Sequence, residues 1–192
     1  MAGGEKSMGQ QRKRYAIAQT ISGQDIKCLR KSLGLTQKEF AQFVNVSVKT
    51  VERWEIQKTP IRGEIVTLCR LMREDSESVA RYRVPAQKEP LRLWYGQGED
   101  IYTIIDVSPP QRRVTVYNYT KDLMRRAFGK IESPTYEQYE AFLESRCFPK
   151  SRDKMKLMLE ELDLPFYDPL MIVEKTEGRM ADDDFWLRVE RN

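Results

Sequence analysis

The stretch TQKEFAQFVNVSVKTVERWE, residues 36–55, admits few backbone paths. Thr36 followed three residues later by Glu39 is a capping box, so a helix starts there. Phe40, Ala41 and Val44 fall on its inner face. Asn45 comes next, one of the few residues besides glycine that enter the left-handed turn conformation without large strain. Ser47 then caps a second helix that runs through Glu55. On a wheel at about 100° per residue, Val51 and Trp54 define the buried side of this second helix. Lys49, Glu52 and Arg53 lie opposite, and Val48 sits at the edge of that outward face, in the first turn. The wheel leaves two readings of Val48 open. Either the preceding helix half-covers it, or the turn enters a DNA major groove. There lysine or arginine donates to guanine O6/N7 and valine meets a thymine methyl.

The flanking sequence extends the helical pattern. SGQDIKCLRKSLG places Ile26, Leu29 and Leu33 at helical spacing and ends at Gly34. Thr59-Pro60 predicts a fourth helix with a cap and an N1 proline. Ile61, Ile65, Val66, Leu68, Cys69 and Met72 supply its apolar face. Four regions follow along the chain. Residues 1–20, with the Arg12-Lys13-Arg14 cluster, read as a flexible basic arm, and residues 21–73 as a helical domain. Residues 74–90, polar with two prolines, read as a linker with room for one helical turn. Residues 91–192 change character. LRLWY, IYTIIDV and RRVTVYNY are β-branched and aromatic, separated by the turn-like GQGED and SPPQ, which predicts an antiparallel meander. Helical segments are expected at about 120–128, from Ser133-Pro134, from Ser151, and from Asp168-Pro169 to near Gly178. DFWLRVER alternates and returns as a final strand. The fold class is thus an all-α N-terminal domain followed by an α+β domain with a small antiparallel sheet and three to four helices.

Composition narrows the chemistry. The 192 residues contain no histidine. That removes Ser-His-Asp and Cys-His catalysis, HExxH sites and C2H2 fingers together. Cys28, Cys69 and Cys147 are widely spaced, without a CxxC, and read as reduced thiols. The Asp182–Asp184 run reads as a solvated acidic loop rather than a metal site. Glu137, Glu140 and Glu144 read as an exposed helix face, and the glycines at 96–98 and 129 lack phosphate-loop spacing. No cofactor, metal or catalytic residue is expected. The net charge of +4 hides an asymmetry: residues 1–84 carry 16 Lys+Arg against 9 Asp+Glu, and residues 85–192 carry 17 against 20. Two modules with different partners are implied. No apolar run reaches the roughly 18–20 residues of a membrane span. The N-terminus lacks a signal-peptide apolar region, so a cytoplasmic protein without a membrane partner is expected.

LRKSLGLTQKEFAQFVNVSVKTVERWE resembles the Cro/C1-type (Xre) helix-turn-helix family over about residues 22–72. It joins LGLTQ, the second helix, the Asn45-Val46 turn, the Ser47 cap and the Trp54-Glu55 pair. The TVERWE variant is most similar to antitoxin-type and small-repressor members. The resemblance implies a lambda repressor-like fold and double-stranded DNA as partner, bound by a homodimer. It implies base reading by Val48, Lys49 and Arg53, a phosphate anchor at Gln37 with Thr36 beside it, and a structural Arg30–Glu55 pair. Ser47 and Thr50 join the expected backbone contacts. So do Lys58 and Arg62, which flank the expected start of the fourth helix. The sequence departs from the family where Ile56 and Gln57 stand in place of a glycine after the WE pair, and where Asn45 replaces the usual turn glycine. The C-terminal segment resembles uncharacterised proteins of mobile elements, which implies no activity. Its roles remain three: dimerising, sensing a ligand, or binding a protein partner through residues 91–192. The reading is a non-enzymatic, sequence-specific transcriptional regulator of the repressor type. The alternative is an antitoxin or anti-defence inhibitor whose C-terminal domain binds a partner while the N-terminal domain regulates its own promoter.

Overall fold

The computed structural model describes residues 16–151 and 155–192. They divide into two compact units, with the boundary between Arg83 and Val84. The Arg12–Arg14 cluster of the expected arm lies outside the described residues.

The first unit is helical: α1 (Gly23–Ser32), α2 (Gln37–Phe43), α3 (Val48–Ile56), α4 (Glu64–Glu74) and α5 (Ser76–Arg81). Local chemistry sets the first three. Ser22 caps α1 by accepting from the Asp25 N–H. Gly34, at φ 66°, turns the chain out of it. Thr36 and Glu39 form both halves of the capping box of α2, and Ser47 caps α3 through the Thr50 N–H. Ile26, Phe40, Val51 and Cys69 are fully sequestered in the core between these helices. Each large side chain so buried contributes about 1.5–3 kcal/mol.

The fourth helix begins later than Thr59-Pro60 predicts. Ile61 pairs with Ile21 in an isolated antiparallel bridge, with N–H···O distances of 3.0 and 2.8 Å. Residues 57–63 are not helical, and α4 starts at Glu64 after Gly63 without a side-chain cap. Helix α5 lies in the region read as a linker with room for a helical turn, and it buries Val79 in the helical core.

The second unit is built on a four-stranded antiparallel sheet of order β3-β2-β1-β4. The strands are β1 (Leu91–Gln97), β2 (Asp100–Ser108), β3 (Arg113–Asn118) and β4 (Phe185–Arg191). Helices α6 (Tyr136–Ser145), α7 (Met155–Glu161) and α8 (Pro169–Thr176) follow β3 in sequence. One sheet face presents Leu93, Tyr95, Ile105, Val107 and Leu187 to Tyr139, Leu143, Ile172 and Val173 of α6 and α8. Alternation puts Arg92 and Asp106 on the other face, directly opposite each other in the β1–β2 register. They form a bidentate pair at 2.6 and 2.7 Å, and the Arg92 guanidinium also donates to the Pro85 carbonyl at 2.9 Å. A slip of one residue would part these two buried charges, so the pair and the apolar face specify the same register.

Two helix expectations need correction here. The segment at 120–128 is only a single 3-10 turn, Leu123–Arg125, capped by Asp122. Helix α6 starts at Tyr136 rather than at Ser133-Pro134, because Thr135 and Gln138 form its capping box. Helix α7 is described from Met155, and the expected start at Ser151 runs into residues 152–154, outside the described residues. Asp168 and Pro169 open α8 as expected, and Glu177 and Gly178 end it at positive φ. Asp183 is not a freely solvated loop residue. It receives both ends of the buried Arg146 guanidinium, at 2.6 and 2.9 Å. No helix among the described residues is long and apolar enough to cross a membrane.

Candidate nucleic-acid interface

The α2–turn–α3 element is fixed at every joint. Asn45 adopts φ 54°, and the Val46 N–H returns to the Ala41 carbonyl at 2.9 Å. Val51 is fully buried and Trp54 half-buried against the core. From behind, α1 approaches so closely that a Cβ on Gly23 would lie 2.0 Å from the Trp54 carbonyl oxygen. Only glycine allows that contact, so Gly23 sets how α3 leans on α1.

A buried polar network ties the same helices from the side. Arg30 of α1 donates to Glu55 of α3 at 2.6 and 3.1 Å and to the Leu35 carbonyl at 2.8 Å. The two side chains are 11% and 3% exposed. Gln37 at the start of α2 donates to the same carboxylate at 3.0 Å. The hydrogen bond from Arg30 holds the Glu55 carboxyl below the usual glutamate range against the opposing effect of burial. One carboxylate thereby joins α1, α2 and α3, which fixes the angle of α3.

The opposite side of α3 is open. Val48 is 37% exposed, Ile56 is 80% exposed, and Lys49, Glu52 and Arg53 are exposed between them. The structure therefore excludes extensive covering of Val48 by α2. Among the described residues, none of Lys49, Arg53, Lys58 and Arg62 is in an ion pair. Lys49 and Arg53 share the exposed face of α3 with Glu52. Lys58 and Arg62 lie in the non-helical 57–63 segment, not at a helix start as expected. Ser47 and Thr50 share a hydroxyl–hydroxyl bond of 2.9 Å, and the Ser47 and Thr36 hydroxyls also accept from backbone N–H groups. These expected backbone contacts are thus cap residues as well. Ile56 extends the open face by a turn beyond the residues assigned from the sequence. Its signal was the missing glycine after Glu55, which lets α3 run one residue further.

Comparison with known proteins agrees with this geometry. Residues 26–69 match the family model described as Helix-turn-helix. A search of curated proteins finds no match to the chain. The N-terminal unit is therefore a Cro/C1-type helix-turn-helix domain, and the protein is a DNA-binding regulator of that type.

Proposed function

We propose that this protein is a sequence-specific transcriptional repressor that inserts the first turn of α3 into the major groove. Val48, Lys49 and Arg53 read base edges. Gln37, Thr36, Ser47, Thr50, Lys58 and Arg62 contact the phosphate backbone. One observation carries the reading: a helix is pinned on its buried side by Val51, Trp54 and the Arg30–Glu55 pair. Its exposed side carries an apolar side chain and unpaired cations in one turn.

Valine and the two cations match the groove chemistry of thymine and guanine. Lys58 and Arg62, in the segment that follows α3, supply sequence-independent attraction to phosphate. The protein acts as a homodimer on inverted repeats, and the second unit contributes dimer contacts or binds an effector. The test is selection of bound sequences from a random DNA library by the full-length protein. The expected product is an inverted repeat with half-sites about one helical turn, or 10–10.5 base pairs, apart. Enrichment of a single asymmetric half-site would rule out the dimeric mode, and absence of any enriched sequence would rule out base reading.

A further inference from the structure

Between α6 and α8 the second unit contains a cavity of about 520 Å³. Its polar wall is Tyr136, Glu137, Tyr139, Glu140, Glu144 and Asp168. Acidic residues on an exposed helix face would carry no argument alone, but two further observations single this cavity out. The first is Tyr139. Its side chain lies in the apolar core with only 2% of the residue exposed, yet its hydroxyl has no hydrogen-bond partner among the described residues. No fully buried polar side-chain atom in the described structure lacks a partner, so this hydroxyl keeps some exposure; Tyr139 lines the cavity, and Tyr136, Asp168 and Glu140, which line it too, lie near its phenol, as does Arg191. Burial, with Tyr136 and Asp168 nearby, pushes its pKa up and keeps it a neutral O–H. Asp168 on the facing helix uses one oxygen to cap α8, through the Met171 N–H at 3.0 Å. Its other oxygen accepts no hydrogen bond among the described residues.

The second observation is Arg112. This residue sits in the β2–β3 turn at φ 46°. Its guanidinium stands 4.3 Å from the centre of the Tyr136 ring. It also lies 2.7 Å from Glu137 and 3.5 Å from Glu140. The rim of the cavity thus already holds one guanidinium, in the stacked and carboxylate-paired arrangement that suits this planar, weakly hydrated cation better than an ammonium. Beyond it lie further carboxylate oxygens and an unpartnered phenol.

We propose that this cavity binds a guanidinium-bearing ligand, held by the Glu140 and Asp168 carboxylates and by the Tyr139 hydroxyl oxygen. The ligand's N–H groups donate to all three, and the hydroxyl gains the partner it lacks. The volume falls within the range of small-ligand pockets, about 300–1,000 Å³. A guanidinium on a short carbon chain fits it. Arg112 is then a resident competitor at the rim, and its removal leaves Glu137 and Glu140 free for the ligand.

Calorimetric titration of the full-length protein tests this with two probes, agmatine and acetyl-Gly-Arg-Gly-amide. The same peptide with citrulline in place of arginine is the uncharged control. Saturable binding of either probe, with none of the citrulline peptide, is expected. The tighter of the two identifies the source, a free small molecule or an arginine side chain of a protein. Tyr139→Phe should weaken binding about tenfold, the worth of one hydrogen bond to a charged group, with the melting temperature unchanged. Arg112→Asn, which keeps a side chain suited to positive φ, should strengthen binding. Opposite signs from two variants at one cavity cannot arise from general loss of structure. Failure of both probes to bind, equal binding of the citrulline peptide, or unchanged affinity in Tyr139→Phe would each overturn the assignment.

Discussion

Replacing Glu55 with alanine tests how the recognition helix is held. The carboxylate accepts from Arg30 at 2.6 and 3.1 Å and from Gln37 at 3.0 Å. Without it, the Arg30 guanidinium keeps one partner, the Leu35 carbonyl at 2.8 Å, at a site where its side chain is 11% exposed. Removing one member of a buried pair costs about 3–5 kcal/mol, because the remaining charge stays desolvated. Small domains have about 5–15 kcal/mol in total, so the loss should be a large share of the helical unit's stability.

Amide hydrogen exchange reads the helical unit separately from the sheet unit. The slowest amides of α1 and α3 should exchange faster by the factor that corresponds to this loss. Arg30→Met with Glu55→Leu should recover most of it, since an apolar pair leaves no uncompensated charge. Acid provides a second check. The folded-state pKa of Glu55 is lowered, chiefly by the Arg30 hydrogen bond. Its contribution is therefore complete above the ordinary glutamate value and lost as pH falls through the lower folded value. Glu55→Gln should lack that part of the acid dependence. A loss under about 1 kcal/mol, the level of an exposed pair, would refute the claim that this network is buried and cooperative.

Other outcomes follow from the same geometry. Gly23→Ala places a Cβ against the Trp54 carbonyl, so it should destabilise the helical unit by about 1–3 kcal/mol, as overpacking does, and lower its melting temperature. Arg92→Met and Asp106→Leu should each destabilise the sheet unit by about 3–5 kcal/mol. The double replacement should recover most of that, read by exchange in β1 and β2. Gln37→Ala should weaken binding to every DNA sequence in a filter or anisotropy titration, because phosphate contacts carry no sequence information, and, by removing a bond to Glu55, should also speed exchange in α1 and α3.

The parts of the fold that were legible are those set by neighbours in sequence. The Thr36–Glu39 box, the Ser47 and Asp168 caps and the left-handed Asn45 are each decided within four residues, and all are present. β-Branched and aromatic runs between turns likewise marked β1 to β3, and alternation marked β4. What was misread depends on distant partners. Thr59-Pro60 has local helix-start chemistry, but Ile61 is taken by Ile21 forty residues earlier. Leu123 and Met124 carry helical propensity, yet the Ala127 N–H is claimed by Thr103 of β2, and only one turn forms. Asp183 sits in an acidic run that looks solvated until Arg146, at the end of α6, reaches it. Arg92 and Asp106 cannot be paired without the strand register. At the candidate interface, the exposure of Val48 was undecided by the wheel because it depends on how α2 packs against α3. The Gln37–Glu55 bond links separate helices and left no local signal.

The most direct test of the central claim is comparative DNA-library selection with the wild-type protein, Lys49→Ala and Arg53→Ala. The account predicts that each variant keeps affinity for unrelated sequence while losing discrimination at a distinct base position, by about 1–3 kcal/mol per lost base contact. Unchanged base preferences in both variants would contradict the assignment of the α3 face as the reading surface.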